Sequence, residues 1–410
     1  MFTGDYALTA AAIAKDIGIF SEFTFDTVDA MREKNKKISL YPYDFEKRSG
    51  PSFNSLLLNG TEIDILNDSD WRAITKYQEI VFARTTPEQK LLIVKEFQKD
   101  GYIVAVTGDG VNDAPALKSA DIGIAMGSGS EVAMEASQMV LLDNSFTSIL
   151  VAIENGRLVF DNLRKVILYL LPAGSVAEIV PILTNIFFGV PLPLSAFLMI
   201  CICILTDMFP ALSLMLEKPE KNLLDRPPRS KRDHLVDWRL IIQAYLFIGL
   251  MEALFSHCIF FWYLQWYGNF QPSDILFVFE KWTDGYRGYT QAQLNEFVFT
   301  GQTIVFISLV IMQSFGNVFA TRTNFKSLFQ SAPFLKKSKN YWIFIAQVVT
   351  VILMMLIIFL PFCHTIFNTR QVPVQFFFIP LVFALIILLA DELRKLLVRK
   401  NVLCFPKLGW

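Results

Sequence analysis

The stretch AVTGDGVNDAPALK, residues 105–118, sets two carboxylates, Asp109 and Asp113, four residues apart in a glycine-rich turn. Hard oxygen ligands of this kind suit Mg²⁺, which keeps much of its water and takes one or two carboxylates plus phosphate oxygens. Gly108 and Gly110 let the backbone turn sharply at a strand end. Lys90, in RTTPEQK, offers a fixed positive charge to phosphoryl oxygens. Thr3, Gly4 and Asp5 form a TGD turn that presents a hydroxyl and backbone N–H groups to a phosphate. Taken singly, each has a plain structural use: a turn, a solvated lysine, a helix cap. Together, and in this order, they point to one phosphoryl site.

A second set lies in apolar surroundings. PAGSVAEIVPIL carries Ser175 and Glu178, three residues apart and so on one face of a helix. Pro181 has no N–H, so the carbonyl of Ala177 loses its helical partner, and Gly174 loosens the same turn. CICILTDMFP places Asp207 beside Thr206, and Pro210 frees the Thr206 carbonyl. Each stretch therefore sets a carboxylate next to an unused carbonyl. An acid at the centre of a bilayer costs about 2.5–3.5 kcal/mol, which makes it a functional suspect. Transporters coordinate ions at such broken helices. A proline kink with a polar helix–helix contact is the plainer account of the same residues.

These residues need two kinds of scaffold. Of the 410 residues, 53% are hydrophobic, 14% aromatic and only 18% charged. That composition reads as a membrane protein. A net charge of -1 gives no pull toward nucleic acid, and no nucleic-acid partner is expected. The five cysteines have no metal spacing, and those in apolar runs read as small buried hydrophobes. Three scattered histidines argue against a three-histidine metal centre. The N-terminal MFTGDYALTAAAIAK has no signal-peptide pattern.

Residues 1–165 alternate strand-like and helix-like pieces. PEQKLLIVKEFQKDG has helical spacing and stops at Gly101, while YIVAVTGDG, ADIGIAM and SQMVLLD are short apolar runs. This predicts a cytoplasmic α/β domain with one parallel sheet and its site at the strand carboxyl ends. The segment 23–70 reads as a surface insertion or flexible connection.

From 166 the chain predicts an all-α bundle with six spans in the lipid bilayer: about 166–188, 194–216, 240–264, 296–320, 342–363 and 374–393. The loop 217–239 carries Lys218, Lys221, Arg226, Arg229, Lys231, Arg232 and Arg239. The loop 321–341 carries Arg322, Lys326, Lys336, Lys337 and Lys339, and the chain end carries Arg394, Lys395, Arg399 and Lys400. The alternate loops hold only Lys281, Arg287 and Arg370. The positive-inside rule places both termini, including the tail 401–410, in the cytoplasm.

TGD, then the lysine of FARTTPEQK, then VTGDGVNDAPALKSADIGIAM resembles the phosphorylation domain of P-type ATPases, a branch of the haloacid-dehalogenase-like fold. DNLRKVILYLL, VPLPLSAFLMICICILTDMFPALSL and DELRKLLVRK extend the likeness through the membrane half. It is strongest toward the α subunits of Na⁺/K⁺ and H⁺/K⁺ pumps. The resemblance implies a C-terminal part of an ion translocase that uses ATP and Mg²⁺. Thr3, Gly4, Asp5, Lys90, Asp109, Asn112 and Asp113 would serve phosphoryl transfer, with Asp109 and Asp113 holding the metal. It implies Na⁺, K⁺ or H⁺ bound by Ser175, Glu178, Thr206 and Asp207, with Gln313 and Asn317 adding neutral oxygens. It also implies a plasma-membrane protein with a single-span β subunit on the outer loop, about 265–295. Exposed Trp266, Tyr267, Trp282, Tyr286 and Tyr289 there read equally as interfacial aromatics. Asn59 and Asn67 fit glycosylation patterns but fall on the cytoplasmic side.

In that family an aspartate in an Asp-Lys-Thr-Gly motif, upstream of TGD, accepts the γ-phosphoryl of ATP. The 410 residues contain no Asp-Lys-Thr. Four of the family's ten spans and its nucleotide and actuator domains are likewise expected to lie outside them. The expectation is that this polypeptide by itself does not hydrolyse ATP. Two alternatives remain: a truncated, inactive membrane protein that binds or regulates a full pump, or a scaffold with a vestigial phosphate site.

Several positions depart from the family's pattern. Cys203 stands where an acid or amide is usual, and Gly316 replaces an acid. Val348 and Val349 stand near another lost acid. Glu252 stands where relatives tend to have Gln. It is either a gained intramembrane acid or a partner of Ser256 or His257.

Overall fold

The computed structural model of the chain describes residues 1–21, 25–38, 53–143, 145–220, 222–226, 229, 233–335 and 338–400. It divides into two units, Met1–Ala152 and Ile153–Trp410.

In the first unit the strands are β1 (Phe53–Asn59), β2 (Tyr77–Ala83), β3 (Ala105–Gly108), β4 (Ile122–Met126) and β5 (Met139–Leu141). The helices are α1 (Ala7–Asp16), α2 (Val28–Ile38), α3 (Gly60–Ile63), α4 (Asp68–Ile74), α5 (Pro87–Lys99), α6 (Ala114–Ser119) and α7 (Glu131–Ala136). β1 pairs with β2, and β3, β4 and β5 form a second sheet in that order, all parallel. Phe2 and Asp26 add bridges at the outer edges of β2 and β1. The single predicted sheet is thus two sheets among the described residues, because no described strand pairs the free edge of β3.

Helix α5 sits between the two sheets' cores. Its start is set by Thr86, which caps the Gln89 N–H in a reciprocal capping box, with Pro87 at the first helical position. Ile93 packs with Leu56, Leu58 and Phe82, while Val94 packs with Val106, Ala116 and Leu117. Along β2 the side chains alternate. Phe82 joins the first cluster, and Val81 and Ala83 face Ala10, Ala11 and Ala14 of α1. The helix ends as the sequence predicts, near Gly101 at φ +88.

The segment 23–70 is not irregular throughout. It contains α2, β1, α3 and the start of α4, because the Leu56 and Leu58 side chains alternate into a core and are fully buried. Residues 22–24 and 39–52 lie outside the described residues. Asn67 caps α4 through Asp70, and Arg32 of α2 reaches across to the same Asp70 at 2.8 Å.

The second unit has six helices long and apolar enough to cross a membrane, as the sequence predicts. They are Thr147–Phe188, Ala196–Met215, Trp238–Gly268, Gln291–Arg322, Trp342–Phe359 and Gln375–Arg399, called here the first to sixth spans. The first helix starts well before its apolar stretch. The fourth is the bundle's centre, with 89% of its apolar window buried.

At one end of this bundle the basic loops are locked together. Arg322 is fully buried and its Nε donates to Glu217 at 2.7 Å. Its two terminal nitrogens donate to the carbonyls of Ser331 and Ser338. Asn340 donates to the same Glu217 oxygen at 2.7 Å. Lys221, Lys231, Arg232, Lys336, Lys337, Cys404 and the tail 401–410 lie outside the described residues.

Glu217→Ala leaves the Arg322 charge buried without its counter-ion. It is expected to destabilise the chain by about 3–5 kcal/mol, read as a lowered Tm in detergent micelles, with Glu217→Gln milder. In the first unit, the hydrogen bond from Arg32 holds the Asp70 carboxyl below its usual range, against the opposing effect of burial. That stabilisation is complete above the unfolded value near about 4 and is lost as pH falls through the lower folded value. The stability gap between the native chain and Asp70→Asn should therefore close as urea melts are run at pH values below about 4.

Candidate phosphoryl and cation sites

The phosphoryl candidates gather around the start of α5 and the end of β3. Lys90, in the first turn of α5, pairs through Nζ with Asp113 Oδ1 at 2.7 Å, and both side chains are mostly buried. Lys90 also stands 5.4 Å from the centre of the Phe2 ring, next to the TGD turn. The Thr3 carbonyl accepts from the Thr85 N–H at 3.0 Å, and the Asp5 carbonyl from the Arg84 N–H at 3.0 Å. Within the turn, the Asp5 N–H donates to Thr3 Oγ1 and that hydroxyl donates to Asp5 Oδ2 at 2.8 Å. The TGD turn is therefore pinned to the segment that leads into α5.

Asp113 precedes α6 but makes no side-chain cap to it. Its side chain lies over the end of β3 instead. A Cβ on Gly108 would stand 2.6 Å from Asp113 Cβ, so glycine is what lets the carboxylate lie there. Asp109 and Asn112 are exposed, and the Asp109 carbonyl accepts from the Ser130 N–H at 2.8 Å. Among the described residues no cluster of three or more His, Cys, Asp or Glu is placed to hold a metal. The protein supplies two carboxylates from one turn, leaving the other positions to water and phosphate oxygens. That donor set fits Mg²⁺.

The cation candidates sit at four π-helical turns that the sequence reading missed: Pro172–Ala177, Cys201–Thr206, Ile242–Gly249 and Met312–Asn317. Such turns leave the ordinary i to i+4 bonding pattern and cluster at functional sites. Glu178 and Asp207 each follow one directly, Gln313 lies within one, and Glu252 follows one closely. Ser175 lies inside the first π turn, so α-helical spacing does not relate it to Glu178, and no hydrogen bond joins the two. The density of Pro172, Gly174 and Pro181 in one span was the available signal.

Asp207 is buried, and Tyr169 donates its hydroxyl to Asp207 Oδ1 at 3.2 Å. Glu252 is fully buried and accepts from Gln313 Nε2 at 2.9 Å. Asn317 donates to Gln313 Oε1 at 2.9 Å and to the Tyr169 carbonyl at 3.1 Å. One polar chain thus links Glu252, Gln313, Asn317, Tyr169 and Asp207 across the first four spans. Glu252 does not pair with Ser256 or His257. Those two both donate to the Ala253 carbonyl, and His257 Nε2 also meets the Thr184 hydroxyl at 3.0 Å. Glu178 is half-buried and accepts from Cys203 Sγ at 3.1 Å. The Thr206 carbonyl is not unused, because Thr350 of the fifth span donates to it at 3.0 Å. The Thr206 hydroxyl donates to the Ile202 carbonyl at 3.0 Å.

The departures have physical reasons. A Cβ on Gly316 would stand 3.2 Å from the Ala384 backbone, so any larger side chain there presses on the sixth span. Val348 is exposed on the outside of the bundle. Cys201 and Cys363 are buried, but Cys203 and Cys258 are exposed, so burial holds for only two of the four described cysteines. In the outer loop Trp266 and Tyr267 are exposed, whereas Trp282, Tyr286 and Tyr289 pack partly buried around Phe270 and Phe297.

Residues 191–397 match the family described as "Cation transporting ATPase, C-terminus", and residues 58–121 match the haloacid dehalogenase-like hydrolases. The chain is 39% identical to the sodium/potassium-transporting ATPase subunit alpha-4 of Rattus norvegicus, over 98% of this chain and 39% of the relative. It is 39% identical to the sodium/potassium-transporting ATPase subunit alpha of Hydra vulgaris, over the same shares. It is 38% identical to the potassium-transporting ATPase alpha chain 2 of Rattus norvegicus, over 97% of this chain and 38% of that one. The chain therefore spans about 39% of the length of the curated relatives it matches.

Removing the amide that holds Glu252 strands a buried carboxylate. Gln313→Leu is expected to destabilise the bundle by about 1–3 kcal/mol, measured by thermal unfolding in detergent. Glu252→Gln, which keeps an acceptor without the charge, should cost less.

Proposed function

Because the chain belongs to the P-type cation-transporting ATPases, we propose that it forms the C-terminal part of an ATP-driven pump of the Na⁺/K⁺ type, carrying monovalent cations across the plasma membrane. The observation that carries this reading is the state of Asp207 and Glu252. Both are buried in apolar spans, and neither has a cationic side chain as partner among the described residues. Buried carboxylates without counter-ions are costly unless a cation joins them. Glu178, Ser175, Thr206 and Gln313 complete the candidate ligand set around the broken helices.

In the phosphoryl half, Asp109 and Asp113 would hold Mg²⁺, whose charge offsets that of the phosphate oxygens. Lys90 and the Thr3, Gly4 and Asp5 turn would position and neutralise the transferred phosphoryl group. Its covalent acceptor, the aspartate of an Asp-Lys-Thr-Gly motif, is not among the 410 residues. Lys90 now balances Asp113, and it is poised to shift toward an incoming phosphate. The charge of loops 217–239 and 321–341 supports an orientation with both ends in the cytoplasm. The aromatic cluster around Phe270 gives a single-span β subunit a firm outer surface to meet.

The direct test is on native membranes. An antibody to residues 1–21 should detect a polypeptide that also takes an acid-stable label from γ-³²P-ATP in Na⁺ and loses it in K⁺. A band the size of these 410 residues, unlabelled and co-purifying with a separate labelled pump, would favour the regulatory alternative. For the metal, Asp109→Asn is expected to weaken Mg²⁺ binding to the purified chain about tenfold in the presence of inorganic phosphate, measured by titration calorimetry. Equal binding by Asp109→Asn and the native chain would remove Asp109 from the site.

A further inference from the structure

The π-helical turns of the first and second spans pack against each other. At their contact Cys203 Sγ donates to Glu178 Oε1 at 3.1 Å. A Cβ on Gly174 would stand 3.5 Å from that sulfur, so the thiol sits against a glycine on one side and a carboxylate on the other. Unlike Cys201, two residues away and buried, Cys203 is exposed. Asp207 lies one turn further along the same span.

We propose that Cys203 sets the ion selectivity of the site formed by Glu178 and Asp207. The inference rests on reading those two acids as cation ligands. In the ion-free site the thiol is a neutral donor that occupies one oxygen of Glu178. When an ion takes that oxygen, the sulfur becomes a soft member of its shell. Two consequences follow from the chemistry. With Cys203 the site carries only the charges of Glu178 and Asp207, one fewer than a third carboxylate at 203 would give, which lowers its preference for Ca²⁺ or Mg²⁺ over monovalent ions. Sulfur also draws thiophilic ions such as Cd²⁺ far better than an oxygen does.

The test is equilibrium binding of radiolabelled Rb⁺ to the purified full chain in detergent, with Cd²⁺ as competitor. The native chain should bind Rb⁺ and release it to Cd²⁺. Cys203→Ser, judged against its own Rb⁺ affinity, should lose more than about tenfold of its sensitivity to Cd²⁺. Cys201→Ser should leave that sensitivity unchanged. Cys203→Asp should tighten Ca²⁺ binding about tenfold. Cd²⁺ displacing Rb⁺ equally well from Cys203→Ser would overturn the proposal, whether or not the aspartate variant folds. The underlying reading fails differently: Rb⁺ binding untouched by both Glu178→Gln and Asp207→Asn would deny these acids any part in a cation site. Cd²⁺ bound through Cys203 by a native chain that binds no Rb⁺ would sink the pump reading too, and would leave Cys203 a thiol site only.

Discussion

A carboxylate inside an apolar bundle has to find its partners there, because the surrounding hydrocarbon supplies none. Much of the second unit follows from this constraint. Asp207 is held by the Tyr169 hydroxyl, and Glu252 by the Gln313 amide. Asn317 then joins Gln313 to the Tyr169 carbonyl. This chain of bonds fastens the first four spans around the two buried acids. The same demand shapes the loop end, where Arg322 is fully buried and Glu217, Ser331 and Ser338 surround its guanidinium.

The π turns are the means by which the helices meet that demand. A regular α-helix uses every interior carbonyl, so it has none to lend to an ion or to a neighbouring side chain. The turns at Pro172–Ala177 and Cys201–Thr206 break this economy next to Glu178 and Asp207. Thr350 takes up the Thr206 carbonyl that Pro210 leaves without a helical partner, donating to it at 3.0 Å. Close packing then fixes the irregular turns in place. Gly316 lies against Ala384, and a Cβ on Gly249 would stand 3.0 Å from Val176 Cβ. Small residues at these contacts let the backbones approach.

In the first unit, position is set by one helix shared between two sheets. α5 buries Ile93 against one core and Val94 against the other, which fixes where its first turn points. Lys90 is thereby held at the end of β3, where a missing side chain at Gly108 makes room for Asp113. The ion pair, at 2.7 Å, holds both side chains in place at that point.

Some of this was written locally. Six spans were legible because the length and apolarity of a crossing helix are set residue by residue by the bilayer. Helix α5 was legible from the spacing of its apolar residues and its stop at Gly101, though its cap at Thr86 was not, and the members of the phosphoryl set were legible from their motif. The buried strand β1 was not, because three leucines in a polar stretch are too short a signal until a partner strand covers them. Nor was the division into two sheets, which depends on which edges meet. The pairing of Glu252 with Gln313 joins residues 61 apart, and that of Tyr169 with Asn317 joins residues 148 apart. Sequence names the groups that cannot stay alone in an apolar medium. Only the tertiary structure chooses their partners, because that choice is made by which helix faces touch.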